Sequence, residues 1–398
     1  MAGFPVGGFW SGSLLESPDE LSSGRPPHPM EVAAVGEALS AQQRERERAD
    51  RARRVISNHF NNLTNFRYED VVGSGVFGVA YSIIEKRFGR RRSRRLVIKR
   101  AQTEAAQREL IREIRVMSLL NGSAHIARVY AANTNDRPVW HRPGIFRRAV
   151  AKILSRRKDM LVGLPGPSLV LEHLENGTLT SLQALLEGRN RTLPNRVLWS
   201  FYLCLVRACV AMKFPPGLPL GAKPKLEEIP ADQSAPASII HGDMHSGNVL
   251  IGSAGDFPEH TNMPPIKLID FGLSLSSDEQ CDERNLLDVS KQIYFLIIRR
   301  YHPVGSQYEY FNGIVTMATE ILPRDGQATY PLLDDDLRDL VARCLARNPA
   351  ERPSLAEALV ICKNAVETKT PGAYGFNAAR ETDYFIRILL QELVYNAS

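Results

Sequence analysis

The chain of 398 residues contains little cysteine and no long apolar run. Its five cysteines are scattered without any Cys-x-x-Cys pair, so the sequence indicates neither a disulfide framework nor a zinc site, and it fits a reducing compartment. The N-terminus lacks a basic stretch followed by an apolar one, which argues against a secretory signal. The most apolar stretch, residues 201–214, is shorter than the ~20 residues of a membrane span. We therefore expect an intracellular protein, cytoplasmic or nuclear, with no membrane association.

An excess of one charge sign is also largely absent. The chain has 50 Lys and Arg against 44 Asp and Glu, a net charge of +6. Much of the positive charge lies in local Arg clusters, so the composition disfavours nucleic-acid binding as the main function. With 43% hydrophobic and 24% charged residues, the chain has globular composition, which excludes collagen-like, coiled-coil and wholly disordered proteins. The length allows two or three domains, or one bilobal enzyme with a tail.

The texture of the sequence changes along the chain. A Gly-, Pro- and Ser-rich stretch predicts disorder up to about residue 38, and an Arg- and Glu-rich stretch predicts a solvated helix over 41–56. Two basic stretches, 88–95 and 132–165, are predicted to be surface loops. The predicted division is a disordered or partly helical N-terminal extension (1–58), a main domain (59–370) made of a first part (about 66–174) and a second part (about 175–370), and a helical C-terminal extension (371–398).

Strands and one helix come first in the main domain, and helices dominate afterwards. Alternating apolar residues around glycines predict strands after Phe66, and helical spacing predicts an amphipathic helix over 104–120. Further helices are predicted over 181–188, 195–214, 284–300, 311–321, 334–347 and 354–368. This order predicts an α+β protein with two unequal lobes and a cleft between them.

A first motif is the GxGxxG of Gly73, Ser74, Gly75 and Gly78 between two predicted strands. Glycine lets backbone amides approach phosphate oxygens where a Cβ would obstruct them. The hexapeptide alone also suits an ordinary hairpin. A Rossmann dinucleotide site is disfavoured because no helix follows.

A second motif is Lys99 at the end of an apolar strand. A lysine so placed can hold phosphate oxygens if a carboxylate orients it. Glu113 on the following helix is the candidate partner, with Glu109 as the fallback. A solvated lysine and a surface glutamate are the alternative interpretation.

Two further motifs end in acidic or amide side chains. In His241-Gly-Asp-Met-His-Ser-Gly-Asn248, Asp243 can accept a hydroxyl proton and the amide oxygen of Asn248 can reach a metal. In Ile269-Asp270-Phe271-Gly272, Asp270 follows a strand and is placed for Mg²⁺. A zinc or di-metal hydrolase site built from His241, Asp243 and His245 is the alternative.

In this order and context, the four motifs resemble those of the eukaryotic protein kinase family over about residues 66–365. The resemblance implies a bilobal fold, with a small β-rich N-lobe containing one helix (about 66–174) and a larger α-helical C-lobe (about 175–370). It implies ATP and Mg²⁺ as cofactors and a protein substrate, with Ser or Thr as acceptor. The implied roles are a phosphate-covering loop (Gly73, Ser74, Gly75, Gly78), a phosphate-binding ion pair (Lys99, Glu113), an adenine-facing hinge (Glu172, Leu174), a catalytic aspartate (Asp243), metal ligands (Asn248, Asp270) and structural C-lobe residues (Asp288, Arg352).

The sequence also departs from the kinase pattern. Gly242 and His245 stand where many kinases have Arg and Lys, and HGDMHSGN resembles the catalytic loop of aminoglycoside and choline phosphotransferases. The segment between Asp270 and Asp288 is short and has no Ala-Pro-Glu sequence. Arg352 therefore lacks the glutamate that pairs with it in the kinase family, and Glu279 and Glu283 are the candidates to replace that glutamate. A small-molecule phosphotransferase and a nucleotide-binding pseudokinase scaffold therefore stay open beside a protein kinase.

Overall fold

The fold is taken from a computed structural model of the chain. It describes residues 29–75, 78–86, 93–134, 159–220, 222–231, 236–255, 257–276, 281–300, 305 and 307–396, with the backbone alone for 29–42 and 44–45. The predicted disorder of residues 1–28 and most of the two basic stretches lie outside this range.

The described residues form a mixed α+β protein, as the sequence predicts. Its longer helices are α1 (Pro29–Asn61), α2 (Glu104–Leu120), α3 (Leu179–Gly188), α4 (Asn195–Lys213), α5 (Cys281–Ile298), α6 (Asp335–Cys344), α7 (Leu355–Thr368) and α8 (Asp383–Leu390). Short 3₁₀ turns and one π-helical turn lie at Asp159–Leu161, Ser246–Asn248, Pro258–His260, Thr319–Ile321, Pro349–Glu351, Pro371–Glu381 and Gln391–Tyr395.

The largest sheet is antiparallel, with the strand order β1-β2-β3-β5-β4. Its strands are β1 (Phe66–Gly75), β2 (Gly78–Glu85), β3 (Arg94–Arg100), β4 (Val129–Asn133) and β5 (Ser168–Glu172). Three two-stranded ladders follow in the chain: β6 (Ile239–Ile240) with β9 (Leu275–Ser276), β7 (Val249–Ile251) with β8 (Ile266–Leu268), and β10 (Glu309–Phe311) with β11 (Ile314–Thr316).

The C-terminal end of helix α1 packs in the core of the largest sheet, although the sequence predicts a separate extension up to residue 58. The side chains of Ile56 and Phe60 are buried in one core with residues of β2, β3 and β5. His59 also hydrogen-bonds the carbonyl of Met160 through Nε2, at 2.8 Å. The helix begins at Pro29, where composition predicts disorder, because its packed end anchors a longer run of helix-forming residues.

Helix α4 is the centre of the second and larger core. It is buried along almost its whole length, Arg207 included, and although it is long and apolar enough to cross a membrane, 94% of its most apolar window is buried inside the protein. Such burial is typical of the central helix of a soluble domain. The C-terminal extension packs on this core through Leu389 and Leu390, and the carboxylate of Glu381 accepts hydrogen bonds from the start of α4.

The predicted helix over 311–321 is wrong. Strands β10 and β11 form a hairpin in which Phe311 pairs with Ile314, so Asn312 and Gly313 are the two turn residues. Both have positive φ, at 47° and 91°. Asn-Gly is the preferred dipeptide for such a turn, and this local signal outweighs the helix-like spacing of the apolar residues around it.

Candidate active site

Lys99 lies between the sheet and the helical part of the protein. It is near the end of β3, opposite Ala80 of β2, and its Nζ is 2.7 Å from Glu113 Oε2 and 2.8 Å from Asp270 Oδ1. Helix α2 presents Glu113 because its apolar face packs inward and Thr103 caps its first turn. Three groups distant in the sequence therefore meet at one cation.

Burial and charge act in opposite directions on this cluster. Burial and the nearby Asp270 carboxylate raise the pKa of Glu113 to about 7, although Lys99 acts to lower it. Burial favours the neutral form of Lys99, but Glu113 and Asp270 outweigh it and raise the pKa of the ammonium group. The same lysine lowers the pKa of Asp270 in spite of burial. At neutral pH the cluster thus holds a charged lysine between two acids, of which Glu113 is the one close to protonation.

Asp270 has an uncommon backbone conformation. Its φ is +61°, and its Oδ1 also accepts a long hydrogen bond of 3.4 Å from the amide of Gly272. Non-glycine residues with positive φ are rare, and they persist where the surrounding structure holds them. Here the next residue, Phe271, is buried with its ring 4.6 Å from that of His241.

Asp243 and Asn248 occupy one loop and bond each other. Asn248 Nδ2 donates to the Asp243 carbonyl at 2.9 Å and to Oδ2 of the same residue at 3.3 Å. The carbonyl of Asn248 accepts from the amide of Ile269, the residue before Asp270. The loop that carries Asp243 is therefore tied directly to the strand end that carries Asp270.

The two histidines of the hydrolase alternative differ in their contacts: His245 Nε2 lies 3.8 Å from Asp243 Oδ2, whereas the ring nitrogens of His241 bond backbone groups. His241 is buried and donates through Nε2 to the carbonyl of Ile269, while its Nδ1 accepts from the amide of Asp243. Both ring nitrogens are thus occupied by backbone groups. Nδ1 of His245 accepts from the amide of Gly247, so this ring caps its own turn.

The glycines of the GxGxxG motif have different environments. Gly73 and Gly75 are exposed on β1, with open space where a Cβ would lie, and Ser74 between them is exposed as well. Gly78 has a φ of +147°, and a Cβ there would be 2.2 Å from the carbonyl oxygen of Arg100. The last glycine is required by the packing of β2 on β3, whereas the first two are free to approach a ligand. Residues 76–77 at the tip lie outside the described range.

Glu172 and Leu174 lie where the sheet connects to the helical part. The Glu172 carboxylate accepts from Lys267 Nζ at 2.7 Å and from the amide of Arg128 at 2.8 Å. Leu174 lies beside Gly252, just after β7. The Glu172 side chain therefore joins the sheet to β8, the strand that leads to Asp270.

Two residues that support the loop were missed in the sequence. Asn285 on α5 accepts from the amide of His241 at 3.2 Å and donates to the carbonyl of Ile239 at 2.7 Å. Gln292, seven residues later, donates to the carbonyl of Met244 at 3.2 Å. Their only signal was two amide side chains, two turns apart, on an otherwise apolar helix face.

Asp288 does not contact the catalytic loop with its side chain, and the expected absence of the usual glutamate partner of Arg352 is tested for one of its two candidates only. Asp288 is half-buried in α5 and pairs with Lys291 at 2.9 Å, while Asn285 bonds the loop in its place. Arg352 donates to the carbonyl of Ala346 at 3.0 Å and has no carboxylate partner in the described part of the chain. Of its two candidate partners, Glu283 is a described residue and Glu279 lies outside the described range.

The chain matches no model of a known protein family. A search of curated proteins likewise finds no similar one.

Proposed function

We propose that the protein is an ATP- and Mg²⁺-dependent protein kinase, with the sheet, α1 and α2 forming a small lobe and helices α3–α8 a large one. The observation that carries the proposal is the contact of Lys99 with both Glu113 and Asp270, next to the loop of Asp243 and Asn248. Phosphoryl transfer needs positioned charge around phosphate oxygens and an aligned hydroxyl more than it needs covalent catalysis. These residues supply that set.

Asn248 and Asp270 suit Mg²⁺ by their chemistry. Asn248 directs its Nδ2 to Asp243, which leaves its amide oxygen without a donor among the described residues. Asp270 uses Oδ1 for Lys99, and its second oxygen accepts no hydrogen bond from the part of the chain described. Carboxylate and amide oxygens are the ligands that Mg²⁺ prefers, and the bound ion would neutralise charge on the phosphates.

The remaining steps belong to the chain's own side chains. Lys99 stays on Glu113 and exchanges its contact with Asp270 for phosphate oxygens. The exposed glycines Gly73 and Gly75 bring backbone amides over those oxygens. Asp243, held by Asn248, orients the acceptor hydroxyl and takes its proton as the oxygen bonds to the γ-phosphorus, while the bond from that phosphorus to the bridging oxygen breaks and ADP leaves.

A polypeptide acceptor is favoured by the surface beside the loop. Strand β9 pairs with β6, which leads straight into His241, and its Leu275 side chain is 53% exposed. Leu275 pairs with Ile240, three residues before Asp243. An exposed apolar side chain at this position suits an extended peptide better than a small polar molecule. Ser or Thr is the proposed acceptor.

A small-molecule phosphotransferase is the second candidate, because helix α5 begins at Cys281, soon after Asp270. That leaves little chain between them to build a peptide platform.

A transfer assay with several acceptors distinguishes these functions. Labelled Mg²⁺-ATP is incubated with wild type or Asp243→Asn and with a basic protein, an acidic protein, an aminoglycoside or choline. Label on protein that is lost in Asp243→Asn supports a protein kinase. Label on a small molecule only supports the second candidate. ATP binding without any transfer supports a pseudokinase scaffold and contradicts both enzymes.

A further inference from the structure

A second cluster of reactive side chains lies buried away from Lys99. It consists of His125 before β4, Cys204 in the middle of α4, and His260 at the end of the 3₁₀ turn Pro258–His260. All three are buried, and one donor atom from each lies within 4.8 Å of the other two. No role in the proposed phosphoryl transfer involves them.

The donor atoms are spaced as ligands of one ion would be. His125 Nε2 is 2.9 Å from His260 Nε2, which is 4.0 Å from Cys204 Sγ. Around zinc, with Zn–N of about 2.0–2.1 Å and Zn–S of about 2.3 Å, tetrahedral geometry places neighbouring donors about 3.3–3.6 Å apart. Shifts of about half an ångström would bring these two pairs of donors to that spacing, and the donor atoms of His125 and Cys204 lie within 4.8 Å of each other.

A carboxylate fixes the orientation of His125. Nδ1 of the ring lies 2.7 Å from Glu227 Oε2, and Glu227 Oε1 accepts from the His125 amide at 2.8 Å. A proton on Nδ1 is thereby directed to Glu227, and Nε2 is the ring atom that faces His260 inside the cluster. Histidines that bind a metal usually donate their other ring N–H to a carboxylate, as His125 can to Glu227.

Glu259 supplies a fourth donor. Its Oε2 accepts from Arg207 at 2.9 Å, while its Oε1 lies 3.5 Å from His260 Nε2 and 3.9 Å from His125 Nε2. That Oε1 is inaccessible to water and accepts no hydrogen bond from any described residue. A buried carboxylate oxygen without a partner is costly, and a cation at the centre of the cluster would remove that cost.

We propose that His125, Cys204, His260 and Glu259 bind one structural zinc ion. Two imidazoles, a thiolate and a carboxylate suit zinc, and a site closed by four protein ligands is structural rather than catalytic. The ion joins three segments: the stretch before β4, the core helix α4, and the insertion between β7 and β8.

The position explains what the ion would stabilise. The carbonyl of His125 accepts from the amide of Leu268 at 3.0 Å, and Leu268 is two residues before Asp270. The metal would therefore hold the insertion and β8 against the core.

Metal content of the full-length protein tests the proposal. Wild type, Cys204→Ala, His260→Ala and the control Cys209→Ala are incubated with zinc, desalted and analysed by mass spectrometry. Cys209 is buried in the same helix but is not part of the cluster. We expect about one zinc per chain in wild type and Cys209→Ala, and none in the two ligand variants. Little zinc in wild type, or unchanged zinc in Cys204→Ala, would overturn the site.

Two measurements keep the test decisive if the ligand variants do not fold. Cobalt loaded into wild type should give a thiolate-to-cobalt charge-transfer band and the d–d intensity of a tetrahedral ion. Glu227→Gln, which changes the partner of His125 Nδ1 and none of the proposed ligands, should weaken zinc binding by about 10–100-fold. An octahedral cobalt spectrum without the thiolate band, or undiminished affinity in Glu227→Gln, would contradict the assigned ligands and leave a metal-free pair of histidines.

Discussion

Replacing Lys99 by Met tests the electrostatic description of the active site. The variant keeps the apolar stem but removes the cation that lies 2.7 Å from Glu113 and 2.8 Å from Asp270. The Glu113 side chain is 2% exposed, so water cannot replace the lost ammonium group. Removing one partner of a buried ion pair costs about 3–5 kcal/mol. We expect the free energy of unfolding to fall by an amount in this range at pH 8.

The loss should depend on pH because Glu113 can take up a proton instead. Its pKa is about 7 beside Lys99, and it rises further once the cation is gone. At pH 6 the acid is protonated in both proteins. At pH 8 Glu113 is ionised in the wild type but protonated in the folded variant. Keeping it protonated costs the variant about 1.4 kcal/mol for each pH unit above the wild-type pKa. The loss should therefore be smaller at pH 6, by at least about 1 kcal/mol.

Urea unfolding at pH 6 and pH 8 measures both quantities. The double variant Lys99→Met/Glu113→Gln should recover much of the stability at pH 8, since the buried carboxylate of Glu113 is then absent. Lys291→Met is the control, because its pair with Asp288 is partly solvated and should contribute only about 0–1 kcal/mol at either pH. An equal loss at both pH values, or no recovery in the double variant, would refute the reasoning.

Three further predictions follow from single residues. Transfer activity should fall as pH drops through about 7, because Glu113 then takes a proton and releases Lys99. The free energy of unfolding should rise as pH drops from about 7 to about 4.5, because Glu113 binds a proton in the folded protein but not in the unfolded chain. Glu113→Gln should flatten the pH profiles of both activity and stability. Gly242→Ala should destabilise the protein by more than the about 1–2 kcal/mol that a left-handed residue costs, because its φ is +80° and the new Cβ would lie 2.3 Å from the Leu273 carbonyl oxygen. The control is Gly255→Ala, at a glycine with positive φ and open space around it. A similar loss of activity and stability in both variants would contradict a steric role for Gly242. Ile56→Ala should cost about 2–5 kcal/mol in urea unfolding, because this residue of α1 is 1% exposed, and an unchanged midpoint would show that α1 is not part of the sheet's core.

The order of elements could be predicted from the sequence, and so could the contact between Lys99 and Glu113. Strand and helix periodicities are local, and each motif lies at the end of a strand or in a short loop, where few alternatives exist. The mixed α+β architecture followed from the same patterns. What the motifs do chemically is a proposal that the assays above must test.

The supporting residues could not be predicted, because they act through tertiary contacts. Asn285 bonds the loop of His241 from a helix more than forty residues away, and its amide has no distinctive local pattern. The buried His125 and Cys204 cluster was missed for the same reason, since its donors come from three separate segments without metal-site spacing. The Asn312-Gly313 hairpin, by contrast, had a local signal, and apolar spacing was given too much weight there.

The most direct test of the central claim is transfer of the γ-phosphate from Mg²⁺-ATP by wild type and Asp243→Asn, with Mg²⁺-ATP binding measured in parallel. Asp243 is placed to take the hydroxyl proton, and loss of a general base typically lowers a rate by about 10²–10⁴-fold. We expect Asp243→Asn to lose transfer activity in this range and to retain nucleotide binding. Undiminished transfer in Asp243→Asn, or no binding of Mg²⁺-ATP by the wild type, would contradict it.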